Sequence, residues 1–255
     1  MCAGYALLCA TRLKAAGYED RMEEYFKQYG LTPLANELNW QYATNLFDEQ
    51  RYVDATTRFD KVNLVSFPKS QKTELLFKRA YCDYALGDYE SAKDRFETVA
   101  GHKTSEYAAP AQYALGYMAY ADYDFHAAMP YFEKASEDPR FKQQALYYML
   151  ECKFMDKDYS YVARYGDDMY ESVPEERKAH LARILSESYL VMGNAGKAKK
   201  YYEVISGDMA TLNTADAFYA GSLQYTLGDY KKAVENFTQM GERNDSIGQI
   251  ASYQL

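Results

Sequence analysis

The residues whose types could support catalysis, metal binding or phosphate binding are four cysteines, three histidines and one Gly/Lys-rich stretch. Cys2, Cys9, Cys82 and Cys152 have no Cys-x-x-Cys spacing, so neither a zinc site nor a redox pair is encoded, and they read as buried, reduced thiols. His102, His126 and His180 stand outside any His-Glu-x-x-His pattern, and no nucleophile or acid is spaced to work with them. Residues 193–200, GNAGKAKK, have two residues where a phosphate loop has four, and Ala198 where that loop needs a magnesium-binding hydroxyl. Asn236-Phe237-Thr238 matches a glycosylation acceptor, but Phe237 falls at a helix-seam position. The chain is expected to be non-enzymatic, with no cofactor and no metal.

Bulk properties narrow the partner. A net charge of −8 over 255 residues argues against nucleic acid, whose binding draws on clustered Lys and Arg; only Lys197, Lys199 and Lys200 cluster here. No apolar stretch approaches the length of a membrane span. The opening MCAGYALLCA lacks a basic leader and reads as a first helix, with Tyr5, Leu8 and Cys9 at core offsets.

The elements that position these side chains emerge from a repeat. Residues 85–99, ALGDYESAKDRFETV, return at 226–240 as TLGDYKKAVENFTQM. With Tyr89 and Tyr230 as anchors, weaker copies fall at Tyr18, Tyr52, Phe125, Tyr159 and Ala195, separated in chain order by 34, 37, 36, 34, 36 and 35 residues. That period belongs to helical solenoids, in which one helix pair buries its apolar face only against a neighbour. One residue before the anchors stand the N-cap types Asp88, Asp124, Asp158, Asn194 and Asp229, with Arg51 as the exception. Three after come Ala55, Ala92, Ala128, Val162, Ala198 and Ala233; seven after come Phe59, Phe96, Phe132, Tyr202 and Phe237, with Gly166 breaking the series. Nine before stand Ala43, Ala80, Gly116, Leu150, Ser186 and Gly221, mostly small residues that let two helices approach.

The spacing predicts a helix A ending near the Gly or Asp, a short turn, and a helix B starting at each anchor. Thr32-Pro33, Asp138-Pro139 and a capping box over Ser172-Val173-Pro174-Glu175 read as starts of the following helix A. Met129-Pro130 predicts a kink or a late start in the helix anchored at Phe125.

In these small, aromatic, Ala, Phe and Pro positions the chain resembles the tetratricopeptide repeat family over nearly its whole length, most strongly around Tyr89, Phe125 and Tyr230 and least around Tyr159. The resemblance implies an all-α, right-handed superhelical solenoid of antiparallel helix pairs, about six repeats plus a truncated helix. One continuous domain over 1–255 is expected, with approximate repeats 1–32, 33–70, 71–105, 106–139, 140–174, 175–210 and 211–245, and a further helix opening at 246–255 with Tyr253 on it. Both ends read as cut from a longer array. More narrowly, LFKRAYCDYALGDYESAKDRFETV followed by SEYAAPAQYALGYMAYADYDFHAAMPYFEKA looks like long multi-repeat proteins of bacterial envelopes. That likeness implies a periplasmic or envelope location with an export signal upstream; the cytoplasm is the alternative.

The chain holds 28 Tyr and 12 Phe, more rings than the seams need. Twelve before the anchors stand Trp40, Phe77, Tyr113, Tyr147, Arg183 and Phe218, and five before them Phe47, Tyr84, Tyr120, Phe154, Leu190 and Tyr225, with Tyr81 and Tyr117 eight before theirs. Steps of four and seven put them on one face of helix A. In the resembled family that face lines a concave surface where extended peptides bind. The expected function is a scaffold holding a protein or peptide partner, or further copies of itself, through Phe77, Tyr81, Tyr84, Tyr113, Tyr117 and Tyr120. The competing readings are rings consumed in the helix seams of a purely structural spacer, and a small-molecule or glycan site in which rings converge with Glu151 or Glu187. The register itself is testable: Ala92→Leu should overpack its helix crossing and cost about 1–3 kcal/mol in denaturant unfolding, and an unchanged stability would refute the alignment.

Overall fold

The computed structural model describes residues 2–30, 32–206 and 214–241. Among them stand fourteen α-helices and no strand. The A helices are α1 (Cys2–Arg12), α3 (Pro33–Asp48), α5 (Lys69–Ala85), α7 (Ala108–Ala121), α9 (Lys142–Met155), α11 (Glu175–Val191) and α13 (Thr214–Thr226). Each is followed by its B helix: α2 (Tyr18–Tyr29), α4 (Tyr52–Phe59), α6 (Tyr89–Ala100), α8 (Phe125–Ala135), α10 (Tyr159–Ser172), α12 (Ala195–Ser206) and α14 (Tyr230–Gly241). The further helix expected at 246–255, with Tyr253, lies outside the described residues.

Every B helix begins at its anchor, and in five of the seven the residue before the anchor explains why. Asp88 accepts from the Ser91 N–H at 3.2 Å, Asp124 from Ala127 at 2.9 Å, Asp158 from Tyr161 at 3.2 Å, Asn194 from Lys197 at 3.2 Å and Asp229 from Lys232 at 3.4 Å. Such caps contribute about 1 kcal/mol each. Arg51 makes no side-chain cap. The backbone N–H groups of Asp88, Asp158, Asn194 and Asp229 also donate to the carbonyls of Asp83, Lys153, Tyr189 and Gln224 at 2.8–2.9 Å, closing the preceding A helix. That closure sends the residue two before the anchor into left-handed backbone: Gly87, Gly193 and Gly228, but also Gln50, Tyr123 and Lys157 at φ 61°.

The A/B crossings follow the predicted small-against-ring pattern. Ala55, Ala92, Ala128, Val162 and Ala198 are fully buried, as are the rings of Phe96 and Phe132. A Cβ on Gly116 would stand 2.8 Å from the Phe132 ring, and one on Gly221 2.6 Å from Phe237. The pair anchored at Tyr159 exchanges the two partners: Leu150 is large where the others are small, Gly166 replaces the ring, and a Cβ there would collide with Leu185. In the next pair Ser186 donates to the Ala198 carbonyl at 3.0 Å, and Tyr201 is buried while the expected Tyr202 is half-buried beside the same core.

Several local expectations change. On α1 the buried face is Leu7, Leu8 and Thr11, whereas Tyr5 and Cys9 are exposed, because the helix turns a different stripe inward than the anchor offsets implied. Cys82 and Cys152 are buried, and burial pushes their thiols up to about 11 and about 12. Thr32 caps α3 as expected, with its oxygen 3.2 Å from the Ala35 N–H. Ser172 forms no capping box: its hydroxyl donates to the Met169 carbonyl, and α11 starts from Pro174. Asp138 is engaged by Arg140, and α9 begins only at Lys142. Pro130 lies inside α8, which starts at Phe125 and not late.

The chain divides into two compact units, and the division passes through α8 between Met129 and Pro130. The first comprises 1–122 and 130–142. It has one core around Met22, Leu38, Tyr42 and Leu46, and another around Phe96, Val99 and Leu115. Its buried Asp83 is held by Arg79 and by Arg95 at 2.6 Å. The second comprises 123–129 and 143–255, with a core around Leu150, Val162, Leu181, Leu185 and Tyr201. There Asp167 ties three helices together, accepting from Tyr189 at 2.8 Å, Tyr201 at 2.7 Å and the Lys197 ammonium at 2.6 Å.

Two outcomes are expected. Gly87→Ala should lose about 1–2 kcal/mol because φ is +85°, whereas Lys157→Gly should gain about 0.5–1 kcal/mol, both read from chemical unfolding. Partial burial works against the Asp167 carboxylate, but the bonds from Lys197, Tyr201 and Tyr189 outweigh it and hold the group below its ordinary range. Its contribution is therefore present above about pH 4 and lost as pH falls through the depressed folded value. The destabilisation caused by Asp167→Asn should hold from neutral pH down to about pH 4 and shrink as pH falls from there through the folded value.

Candidate interaction face

The ring surplus sorts into three sets, each defined by its offset from an anchor. Rings twelve before the anchor meet the ring seven after it across the A/B seam: Phe77 on Phe96 at 5.6 Å, Tyr113 on Phe132 at 5.9 Å, Phe218 on Phe237 at 6.0 Å. Phe77 and Tyr113 also lie against Tyr107 and Phe141 from the connectors, so these two candidates are half-buried seam residues. Rings five before the anchor pack edge-on against the anchor ring itself: Phe47–Tyr52 at 6.0 Å, Tyr84–Tyr89 at 5.5 Å, Phe154–Tyr159 at 6.0 Å and Tyr225–Tyr230 at 5.5 Å. Each such pair adds about 0.5–1.5 kcal/mol beyond its buried area and fastens the end of helix A to the start of helix B.

The third set faces outward as well, as do Tyr89, Tyr225 and Tyr230 of the second. Tyr81 is 40% exposed and Tyr117 36% exposed, one period apart on α5 and α7. Tyr81 joins Phe47 at 5.6 Å, Tyr52 at 5.9 Å and Tyr84 at 6.5 Å, so five rings from α3, α4, α5 and α6 run continuously from Phe47 to Tyr89. Burial, with Tyr81 beside it, holds the Tyr52 hydroxyl above its ordinary range. Tyr117 and Tyr120 stack on each other at 6.4 Å. The structure thus places Tyr81, Tyr84, Tyr117 and Tyr120 on an accessible or half-buried face, and Phe77 and Tyr113 beneath it. Tyr52 and Tyr89, which served only as markers of the repeat, belong to the ladder, and Tyr89 is 58% exposed.

At the offset of Tyr81 and Tyr117 two helix pairs of the second unit carry carboxylates and the last carries Ser222. Glu151 is buried and accepts from His180 at 2.8 Å, and Glu187 accepts from the Tyr219 hydroxyl. Both positions were legible from the anchors, eight residues before Tyr159 and Ala195. At the connector end of the first unit an open cleft of about 770 Å³ lies between α6, α7 and α8. Its mouth mixes Lys103 and Lys134 with Glu97 and Glu137, which selects no one ligand charge.

Residues 74–101 match the tetratricopeptide repeat family model. Among solved structures, PilW, described as a widely conserved type IV pilus biogenesis factor, is 19% identical, with a TM-score of 0.53 over 87% of this chain and 100% of its own. Pseudomonas aeruginosa PilF is 12% identical, with a TM-score of 0.59 over 87% and 98%. A tetratricopeptide repeat protein from Parabacteroides merdae is 16% identical, with a TM-score of 0.54 over 98% and 95%. No curated protein matches by sequence. At such identities the likeness speaks for the fold. Residues 74–101 match one tetratricopeptide repeat, the other helix pairs keep its register, and the chain shares the helix-pair fold of tetratricopeptide repeat proteins.

Proposed function

We propose that this chain is a non-enzymatic scaffold that docks a segment of another protein on the aromatic face of α5 and α7. The observation that carries the reading is the partial exposure of Tyr81 and Tyr117 at one register position, next to the half-buried rings of Tyr84 and Tyr120. Rings fixed by edge-on neighbours present large apolar area at little entropic cost and keep phenolic hydroxyls for hydrogen bonding, the combination found at binding hot spots. Phe77 and Tyr113 act from below, setting the height of the face. The pilus biogenesis factor that shares this fold fits an envelope location, which we also propose.

A second reading, a small-molecule or glycan site, is favoured by one observation: Glu187 takes the Tyr219 hydroxyl, and its charge also raises the Tyr159 hydroxyl after burial does so. Because Glu187 and Glu151 are already engaged by Tyr219 and His180, that cluster reads first as internal bracing.

The double substitution Tyr81→Ala/Tyr117→Ala should leave the circular dichroism spectrum intact and lower the melting temperature by only a few degrees. It should weaken peptide binding at least about tenfold, as expected for loss of two hot-spot rings. A large fall in melting temperature would mean that the rings are core, and unchanged binding would remove this face as the docking site.

A further inference from the structure

We infer that the segment docked on this face is cationic, a stretch carrying Lys or Arg among apolar residues. The inference rests on the docking reading above and adds the charge of the occupant. No Lys or Arg occurs in residues 80–92 or in residues 104–133, the stretches that contain Tyr81, Tyr84, Tyr89, Tyr117 and Tyr120. The same stretches expose Asp88, Glu90 and Asp122 at the A-to-B turns. Arg79 and Arg95, whose charges reach Asp88, are already held by Asp83, and Arg79 by Asp60 as well. The face is therefore a set of ring surfaces edged by carboxylates, in a chain of net charge −8.

That chemistry suits one sign of partner. A guanidinium or ammonium is attracted by the face of a ring and by a carboxylate at the same time, whereas an acidic segment would meet both the like charge and the negative ring face. The ladder already shows the contact in miniature, because the Lys78 ammonium lies over the Phe47 ring, 5.6 Å from its centroid. Carboxylates at the turns would also speed encounter with a basic segment, an effect that salt removes.

The test is to pan a display library of short random peptides against the whole chain and measure the enriched peptides by fluorescence anisotropy at low and high salt. The variants are Asp88→Asn/Glu90→Gln/Asp122→Asn and Tyr81→Ala/Tyr117→Ala. Asn caps a helix as well as Asp does, so the charge variant keeps its turns, which a melting curve verifies. The expected result is enrichment of peptides rich in Lys and Arg, with affinity falling about tenfold from low to high salt and about fivefold or more in the charge variant. Enriched peptides that are neutral or acidic, or indifferent to salt and to the charge variant while still lost in the tyrosine variant, would overturn the cationic assignment and leave docking standing. Binding indifferent to both variants, or no enrichment at all, would overturn both.

Discussion

In four of the repeats the residue before the anchor closes one helix with its backbone and opens the next with its side chain. Asp88 donates its N–H to the Asp83 carbonyl and accepts from the Ser91 N–H, and Asp158, Asn194 and Asp229 do the same in their own turns. Because both bonds converge on a single residue, the A and B helices cannot shift independently along their axes. The offsets of seven and nine residues then bring the same pairs of side chains together across the A/B crossing, including Gly116 with Phe132 and Gly221 with Phe237. Everything on the outer face inherits its register from this turn.

Much of this was legible because caps and crossings are local. An Asp followed by an aromatic marks a helix start whatever surrounds it, as at Tyr89, Phe125, Tyr159 and Tyr230, and the repeat period carries the other three starts, at Tyr18, Tyr52 and Ala195. What stayed illegible depends on neighbours in space. The exchange of Leu150 and Gly166 looks like a lapse in the repeat until Leu185 is seen filling the gap from α11. Ser172 has the residue type of a capping box, but its hydroxyl is already spent on the Met169 carbonyl of the preceding helix. On α1 the helix presents Leu7 and Leu8 inward, so Tyr5 and Cys9 turn out. The candidate face was legible as a set of offsets, yet only packing separates Phe77 and Tyr113, clamped at the seam, from Tyr81 and Tyr117, half in solvent.

The two units use one register position differently. Eight residues before the anchor, the first unit places Tyr81 and Tyr117 and the second places Glu151 and Glu187. Rings at this position are partly exposed, while the carboxylates are engaged by His180 and Tyr219. A single backbone scheme therefore yields partly exposed rings in one unit and internal polar bracing in the other, with the choice made by one side chain per repeat. Burial favours this division, since a carboxylate removed from water needs a donor and a phenol at the surface does not.

The exchanged pair at Leu150 and Gly166 also bears on how such an array can be inherited. A recombination that joined α9 to a B helix of the usual kind would set Leu150 against a phenylalanine, and one that joined an ordinary A helix to α10 would face Gly166 with alanine or glycine and leave a void. A breakpoint at this A-to-B turn would part Gly166 from Leu150, and one in the following connector would part it from Leu185, so the matched module here is α9, α10 and α11 together.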